Sequence, residues 1–275
     1  MSEAFAPESV DAYEIGSKNV FANGKFTFNA TAFYYSYSSL QLSRIVARTS
    51  VNDNIDATIY GIELESIIRP TREWAINMGA SYLKTKAGDS GDRLTNPRDP
   101  SGGRADAVII KDITNGSNCA VVSNSGSVAG VNGFVAAINP SLGLQGPTSF
   151  GPNSGLSANG AFGICSVLAA QAAGPVGTAF GGISVLNAGV PVNVKGNALP
   201  QAPNYKFSIG TQYTAELSNG MSVVPRVDLT YTGDSYGNIF NSRVNKINGY
   251  SQANAQVQLN GRDDRWFVRG YIQNI

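Results

Sequence analysis

SNGMSVVPRVDLTYTG, residues 218–233, alternates residue by residue. Met221, Val223, Pro225, Val227, Leu229 and Tyr231 fall on one side, and Ser222, Val224, Arg226, Asp228, Thr230 and Thr232 on the other. Successive side chains of a strand point to opposite faces, so the stretch predicts a strand lying between an apolar and a polar environment. The pattern leaves open which of the two is inside. In a soluble sheet the apolar face is the core, whereas in a membrane barrel it is the exterior.

The same period recurs along most of the chain. In KFTFNATAFYYSY (25–37), Phe26, Phe28, Ala30, Ala32 and Tyr34 oppose Lys25, Thr27, Asn29 and Thr31. TIYGIELESIIR (58–69) sets Tyr60, Ile62, Leu64 and Ile68 against Gly61, Glu63, Glu65 and Arg69. WAINMGASYLKT (74–85), YKFSIGTQYTAEL (205–217) and QANAQVQLN (252–260) alternate likewise, and VDAYEIGSK (10–18) and RWFVRGYIQ (265–273) complete the set. With the opening stretch this predicts an all-β fold of about eight antiparallel strands, each about 10–13 residues long. FANGK (21–25), RPTRE (69–73), LSNGM (217–221) and GRDDR (261–265) carry the Asn-Gly, Pro and Asp chemistry of tight turns. The links between them, roughly 39–57, 88–204 and 234–249, are long. Short turns at one end and long loops at the other are the habit of outer-membrane barrels.

Composition agrees. Only 14% of the 275 residues are charged, against about 25% in an average soluble domain. The net charge of +1 gives no general attraction to nucleic acid. There is no histidine, which removes the commonest general base and transition-metal ligand. No apolar run is long enough for a transmembrane helix. Phe26, Trp74 and Trp266 lie beside the short turns, and Tyr34, Tyr60, Tyr82 and Tyr231 lie towards the long links, as two interfacial girdles would. A large soluble β-sandwich or β-helix is the competing architecture, but its outer face should carry more Lys and Glu. The start, MSEAFAPESVDAYE, is acidic and polar and unlike a secretory signal, so an exported protein would carry its signal upstream of this chain.

Residues 88–204 differ in kind, being rich in Gly, Ser, Asn and Ala. They read as a long extracellular loop, with short helices near Val131–Ile138 and Ser166–Ala173. Both cysteines, Cys119 and Cys165, fall here. Two cysteines confined to one exported loop point to a disulfide, with a pair of unlinked thiols as the alternative.

PESVDAYEIGSKNVFANGKFTFNATAFYYSYSSLQL (7–42) resembles the barrel of TonB-dependent outer-membrane receptors. The resemblance rests on Pro7, Glu8, Val10, Tyr13, Glu14, Gly16 and Lys18, then Asn29, Ala30, Phe33, Tyr34 and Tyr37. IYGIELE (59–65), GNALPQAPNYKFSIGTQYT (196–214) and YIQNI (271–275) extend it. It implies a partial up-and-down transmembrane barrel over 1–275, placed in the bacterial outer membrane and surrounded by its lipid. It also implies energy-coupled uptake of a siderophore, cobalamin or oligosaccharide, with a plug domain and the TonB complex as partners. Neither plug nor coupling box is expected within these residues. A passive porin or adhesin barrel is the alternative, and a soluble carbohydrate-binding β protein is a third reading.

No catalytic residue, cofactor or metal site is read from the sequence. Glu63 and Glu65 are roughly 6.5–7 Å apart on one face, a spacing that a glycosidase pair can have. A wet barrel interior explains them better, with Lys18 or Arg69 as ion-pair partners. Lys206, Glu216, Arg226, Asp228 and Arg269 belong to the same class, as lumen charges able to touch a plug. NDNID (52–56) and GDSGDR (88–93) offer clustered oxygens without the spacing of a calcium loop, and read as solvated acids.

Overall fold

The computed structural model describes residues 6–46, 49–112, 117–138 and 163–275. The chain begins with four long strands, β1 (Ser9–Phe21), β2 (Phe26–Val46), β3 (Thr49–Ile68) and β4 (Trp74–Ala87). Smaller elements follow: β5 (Leu94–Thr95), β6 (Val108–Asp112), β7 (Ser117–Ser123), α1 (Val128–Ile138), α2 (Ile164–Ala172), α3 (Pro175–Ala179), β8 (Ile183–Leu186) and β9 (Pro191–Val192). The long strands then resume with β10 (Tyr205–Tyr213), β11 (Ala215–Glu216), β12 (Ser222–Thr232), β13 (Ser235–Tyr236), β14 (Lys246–Ile247), β15 (Tyr250–Asn260) and β16 (Phe267–Ile272).

The main sheet runs β1-β2-β3-β4-β10-β12-β15-β16, every neighbour antiparallel, with β11 paired to β12. Strands adjacent in sequence are adjacent in space, the up-and-down order of a barrel wall. Among the described residues the sheet does not close, and β1 and β16 are its two ends.

The tight turns form as their residues dictate. Asn23, Gly24, Gly220 and Asp263 all take positive φ, which Asn, Asp and Gly adopt at low cost. Around Asn219-Gly220 the chain closes through Leu217 N–H to the Met221 carbonyl at 2.8 Å. This closure sets the β10–β12 register. Pro225 lacks a ladder donor. The β10–β12 ladder breaks at Tyr213 and Thr214, opposite Pro225, and resumes at Ala215↔Val223 without a shift of register. A bond is lost there and no bulge forms. The Thr214 N–H points to the other side and continues the β10–β4 ladder, to the Glu73 carbonyl at 2.8 Å.

Two expectations are corrected. The 39–57 link is strand for most of its length. β2 has 21 residues and β3 has 20, not about 10–13, so the pair continues far past the aromatic residues. Residues 88–204 are not a plain loop either.

The chain divides into two compact units, the sheet with Lys195–Ile275 in one and Asp89–Val194 with Gln41–Ile55 in the other. The second unit has its own core. β6, β7 and β8 make a three-stranded antiparallel sheet. Val121, Val131, Phe134, Ile138, Leu168 and Ile183 cluster between this sheet and the helices α1 and α2. Phe134 meets Phe180 edge-on, with ring centroids 6.2 Å apart. The expected helices are both present, a little earlier in the chain than the pattern placed them. Residues 139–162 of this insert lie outside the described residues.

Candidate functional site: the two faces of the sheet

Paired residues in an antiparallel ladder share a face, so the registers sort every side chain. One face carries rows such as Ser66↔Met78↔Ile209↔Leu229↔Ala253 and Leu64↔Ala80↔Phe207↔Tyr231↔Ser251. It is apolar yet open to its surroundings: Phe207 is 50% exposed, Leu229 49% and Met78 45%. Large apolar side chains do not stay this exposed in water without a partner phase. Aromatic pairs edge the face. Tyr82 and Tyr205 lie 5.3 Å apart, Phe207 and Tyr231 6.3 Å, and Tyr34 and Tyr60 6.5 Å.

The other face carries Glu63, Ser81, Lys206, Gln212, Arg226, Asp228, Gln252, Asn254, Gln256, Gln258 and Arg269. Lys18 pairs with Asn29 and Glu216 with Ser222 on this same face, while Glu65 sits opposite Gly79. Arg69 follows β3 by one residue and its N–H bonds the Lys25 carbonyl at 2.7 Å. The centre of the face is a three-residue network. Arg226 Nε donates to Asp228 Oδ2 at 2.8 Å and Nη2 to Oδ1 at 2.5 Å, while Nη1 donates to Gln212 Oε1 at 3.1 Å. Residue 210, opposite Asp228, has to be small. A Cβ on Gly210 would collide with the Asp228 carboxylate and lie 2.9 Å from Arg226 Nη2. One strand over, Arg269 donates twice to Gln258 Oε1, at 2.8 and 2.6 Å.

The amide partners Gln212 and Gln258 escape a reading of the sequence, because register decides them. The ion pairs expected for Glu63 and Glu65 do not form. β1, which carries Lys18, is two strands from β3, roughly 10 Å away, and Arg69 stands four residues along from Glu65, roughly 13 Å. The acids of 52–56 and 88–93 are used locally: Asp56 accepts from the Ser39 N–H at 3.0 Å, and Asp89 accepts from Gly91 N–H and Asn193 Nδ2 at 2.8 and 2.7 Å. No group of three metal-ligating side chains occurs among the described residues.

A polar wall backed by an exposed apolar face, in up-and-down order, has a match among known proteins. Residues 2–106 match the family described as TonB dependent receptor-like, beta-barrel. The first four strands of the sheet, β1 to β4, are those of a TonB-dependent receptor barrel. Its fold is similar to that of the ferric yersiniabactin uptake receptor FyuA from Yersinia pestis, at TM-score 0.52 and 12% identity, covering 98% of this chain and 25% of that one. BauA, the ferric preacinetobactin receptor from Acinetobacter baumannii, matches at TM-score 0.48 and 10% identity, over 98% of this chain and 26% of that one. The chain thus spans about a quarter of the solved receptors it matches. No curated protein matches it. Barrels of this family lie in the bacterial outer membrane, which places this one there, and the family consists of transport receptors rather than enzymes.

Beside the main sheet, the connection before β10 is fixed by its polar atoms. Leu199 N–H donates to Thr85 Oγ1 at 2.9 Å. Asn241 and Ala198 exchange two bonds, the Ala198 N–H to Oδ1 at 2.7 Å and Nδ2 to the Ala198 carbonyl at 2.9 Å. Lys246 and Asp234 pair at 2.5 Å across the β12–β15 link, and the lysine holds the Asp234 carboxyl below its usual range.

In the insert, the structure joins Cys119 on β7 to Cys165 on α2, with Cα atoms 6.1 Å apart. Asp112 Oδ2 accepts the Cys165 N–H at 3.3 Å, serving one of the orphan donors of the first turn of α2. At the other end of β7, Arg104 binds Asp106 through two bonds of 2.9 and 2.7 Å, and Ser123 N–H adds a third at 3.0 Å. The Arg104 hydrogen bond, helped by that of Ser123, holds the Asp106 carboxyl down to about 2. Its folded value lies below the unfolded one of about 3.9. The stabilisation is therefore full above about pH 4 and lost as pH falls towards 2. Amide exchange at Ser123 should accelerate over that window relative to the main sheet, and Asp106→Asn should abolish the step. An unchanged step in Asp106→Asn would assign the acid response to another group.

Proposed function

We propose that the chain forms part of the wall of a receptor that takes up a scarce solute too large for porins, in the siderophore, cobalamin or oligosaccharide class. The observation that carries this reading is the polar face itself. Arg226 bonds Asp228 on its own strand and Gln212 across strands, Arg269 bonds Gln258 across strands, and Lys18, Glu63, Glu65, Arg69, Lys206 and Glu216 stand on the same side, a surface suited to a plug held by contacts that can be broken. The apolar face meets lipid, and the polar face lines the lumen. The end with the long links faces outward, so the disulfide-bearing insert contributes to solute capture, while a plug domain and the TonB complex gate and drive passage. The name of the yersiniabactin receptor fits the siderophore class, although a likeness at 12% identity supports the fold and leaves the solute open.

The test is uptake by a deletion strain complemented with the full-length gene, supplied with radio-iron siderophores, labelled cobalamin and labelled oligosaccharides. One of the three should enter, and an uncoupler that collapses the proton gradient should stop it. Entry that survives the uncoupler would favour a passive porin-like barrel, and no restored entry of any probe would remove the uptake reading.

A further inference from the structure

Gln252, Asn254, Gln256, Gln258 and Asn260 follow one another on the polar face of β15. Five carboxamides in succession make a column roughly 27 Å long with no charge in it. Four of the five have set orientations. Arg269 takes up the Gln258 oxygen, Gln258 Nε2 donates to Asn260 Oδ1 at 2.6 Å, and Asn260 Nδ2 donates to Ser222 Oγ at 3.1 Å. At the other end, Gln252 Nε2 donates to Asn274 Oδ1 at 3.1 Å, and Asn254 Oδ1 accepts the Asn274 N–H at 2.9 Å. The side chain of Gln256, between the two groups, has no hydrogen-bond partner among the described residues, although a carboxamide has two donors and an acceptor to offer.

Gln256 and Arg269 line two polar hollows on this face, one of about 490 Å³ and one of about 290 Å³. The larger also takes in Gln212, Ser222, Gln258 and Asn260, and Val224 supplies its one apolar side chain. Small-molecule sites are ordinarily apolar with a few placed polar groups, and here the proportion is reversed. A solute laying an apolar surface on this wall would leave its amides unpaired, at a cost for each. A densely hydroxylated solute leaves none, because every hydroxyl both donates and accepts. The nearby arginines do not turn the site towards anions. Arg226 is paired with Asp228, and Arg269 shares the larger hollow with Glu216 and Asp263. We propose that the carboxamide column of β15 is a track for a neutral polyhydroxylated chain, which makes the solute an oligosaccharide. The proposal rests on the uptake reading above, with the polar face lining the lumen.

The test uses the full-length receptor in the complemented deletion strain. The strain is supplied with labelled oligosaccharides of glucose, xylose and N-acetylglucosamine, beside radio-iron siderophores and labelled cobalamin. Entry is counted per receptor found in the outer membrane, so that a variant made in smaller amount is still read. An oligosaccharide should enter through the wild type. Gln256→Leu should lower that entry about fivefold, the ordinary worth of one hydrogen bond, and Gln256→Asn should keep most of it. Because the Gln256 side chain bonds nothing in the wall, a purely structural role predicts no change in either variant. Oligosaccharide entry at the wild-type rate through Gln256→Leu overturns the proposal. Entry of a siderophore or cobalamin with no oligosaccharide also overturns it, and leaves the uptake reading standing. Entry of no probe at all would remove the uptake reading and this proposal with it.

Discussion

Cys119→Ser combined with Cys165→Ser is expected to raise amide exchange across the insert about a thousandfold. The bridge spans 46 residues between β7 and α2. Cross-linking a loop of that length restricts the unfolded chain by about 4 kcal/mol in the chain-entropy model, close to a factor of a thousand. The insert has little else to offset the loss. Its cluster has six buried members, and each fully buried Val, Leu or Phe contributes about 1.5–3 kcal/mol against the entropy of ordering the chain around it. Cys119 itself is fully buried, so the serine also leaves a polar group in the interior, on the face of β7 that carries Val121. Exchange at Val121 and Leu168 reports the effect, and exchange at Ile209 and Leu229 on the main sheet serves as the internal reference. Reduction of the wild type should reproduce the double variant. Acceleration of less than tenfold at Val121 would mean that packing against α1 and α2 holds the unit without the bridge.

The difference between these units explains how much was legible in the sequence. Period-2 alternation is a local signal, so the eight long strands of the sheet and their up-and-down order could be read residue by residue. The signal fades where a strand no longer separates two phases. In β2 beyond Tyr37, and in β3 before Ala57, polar residues occupy both sides, and the pattern reads as loop although the ladder continues. The sheet of the insert is hidden for the opposite reason. Val108–Asp112 and Ser117–Ser123 are short and apolar on both sides, with no alternation to mark them. For the candidate site, the side on which each charge lies follows from parity alone, and all of the lumen candidates within paired strands share one face. Their partners depend on register and strand order, which no local pattern contains. Gln212 finds Arg226 because the Asn219-Gly220 turn pairs Leu217 with Met221, and Lys18 misses Glu63 because β2 lies between them.

Ile209→Arg should destabilise the folded barrel by about 2–4 kcal/mol, the cost of an arginine at the middle of a bilayer. Ile209 is four residues from Tyr205 and four from Tyr213, so it lies roughly 13 Å from the ring at either end of β10. On a strand tilted by about 40° this is roughly 10 Å of depth, close to half of an apolar band about 25 Å tall. Its neighbours in the row are Met78 and Leu229, and none of them can pair a guanidinium. Ser208→Arg, one residue earlier, puts the same group among Thr230, Asp228 and Glu65 on the polar face and should cost far less. Urea titration of the full-length receptor refolded in vesicles measures both. A soluble sandwich with Ile209 in its core would also penalise the first change, so the contrast of faces alone does not separate the two architectures. Depth does. In a bilayer the cost of arginine falls to about 0–1 kcal/mol near the interface, so Tyr205→Arg should lose little beyond its 5.3 Å contact with Tyr82. In a protein core no such gradient runs along the strand, and Tyr205→Arg and Ile209→Arg would cost alike.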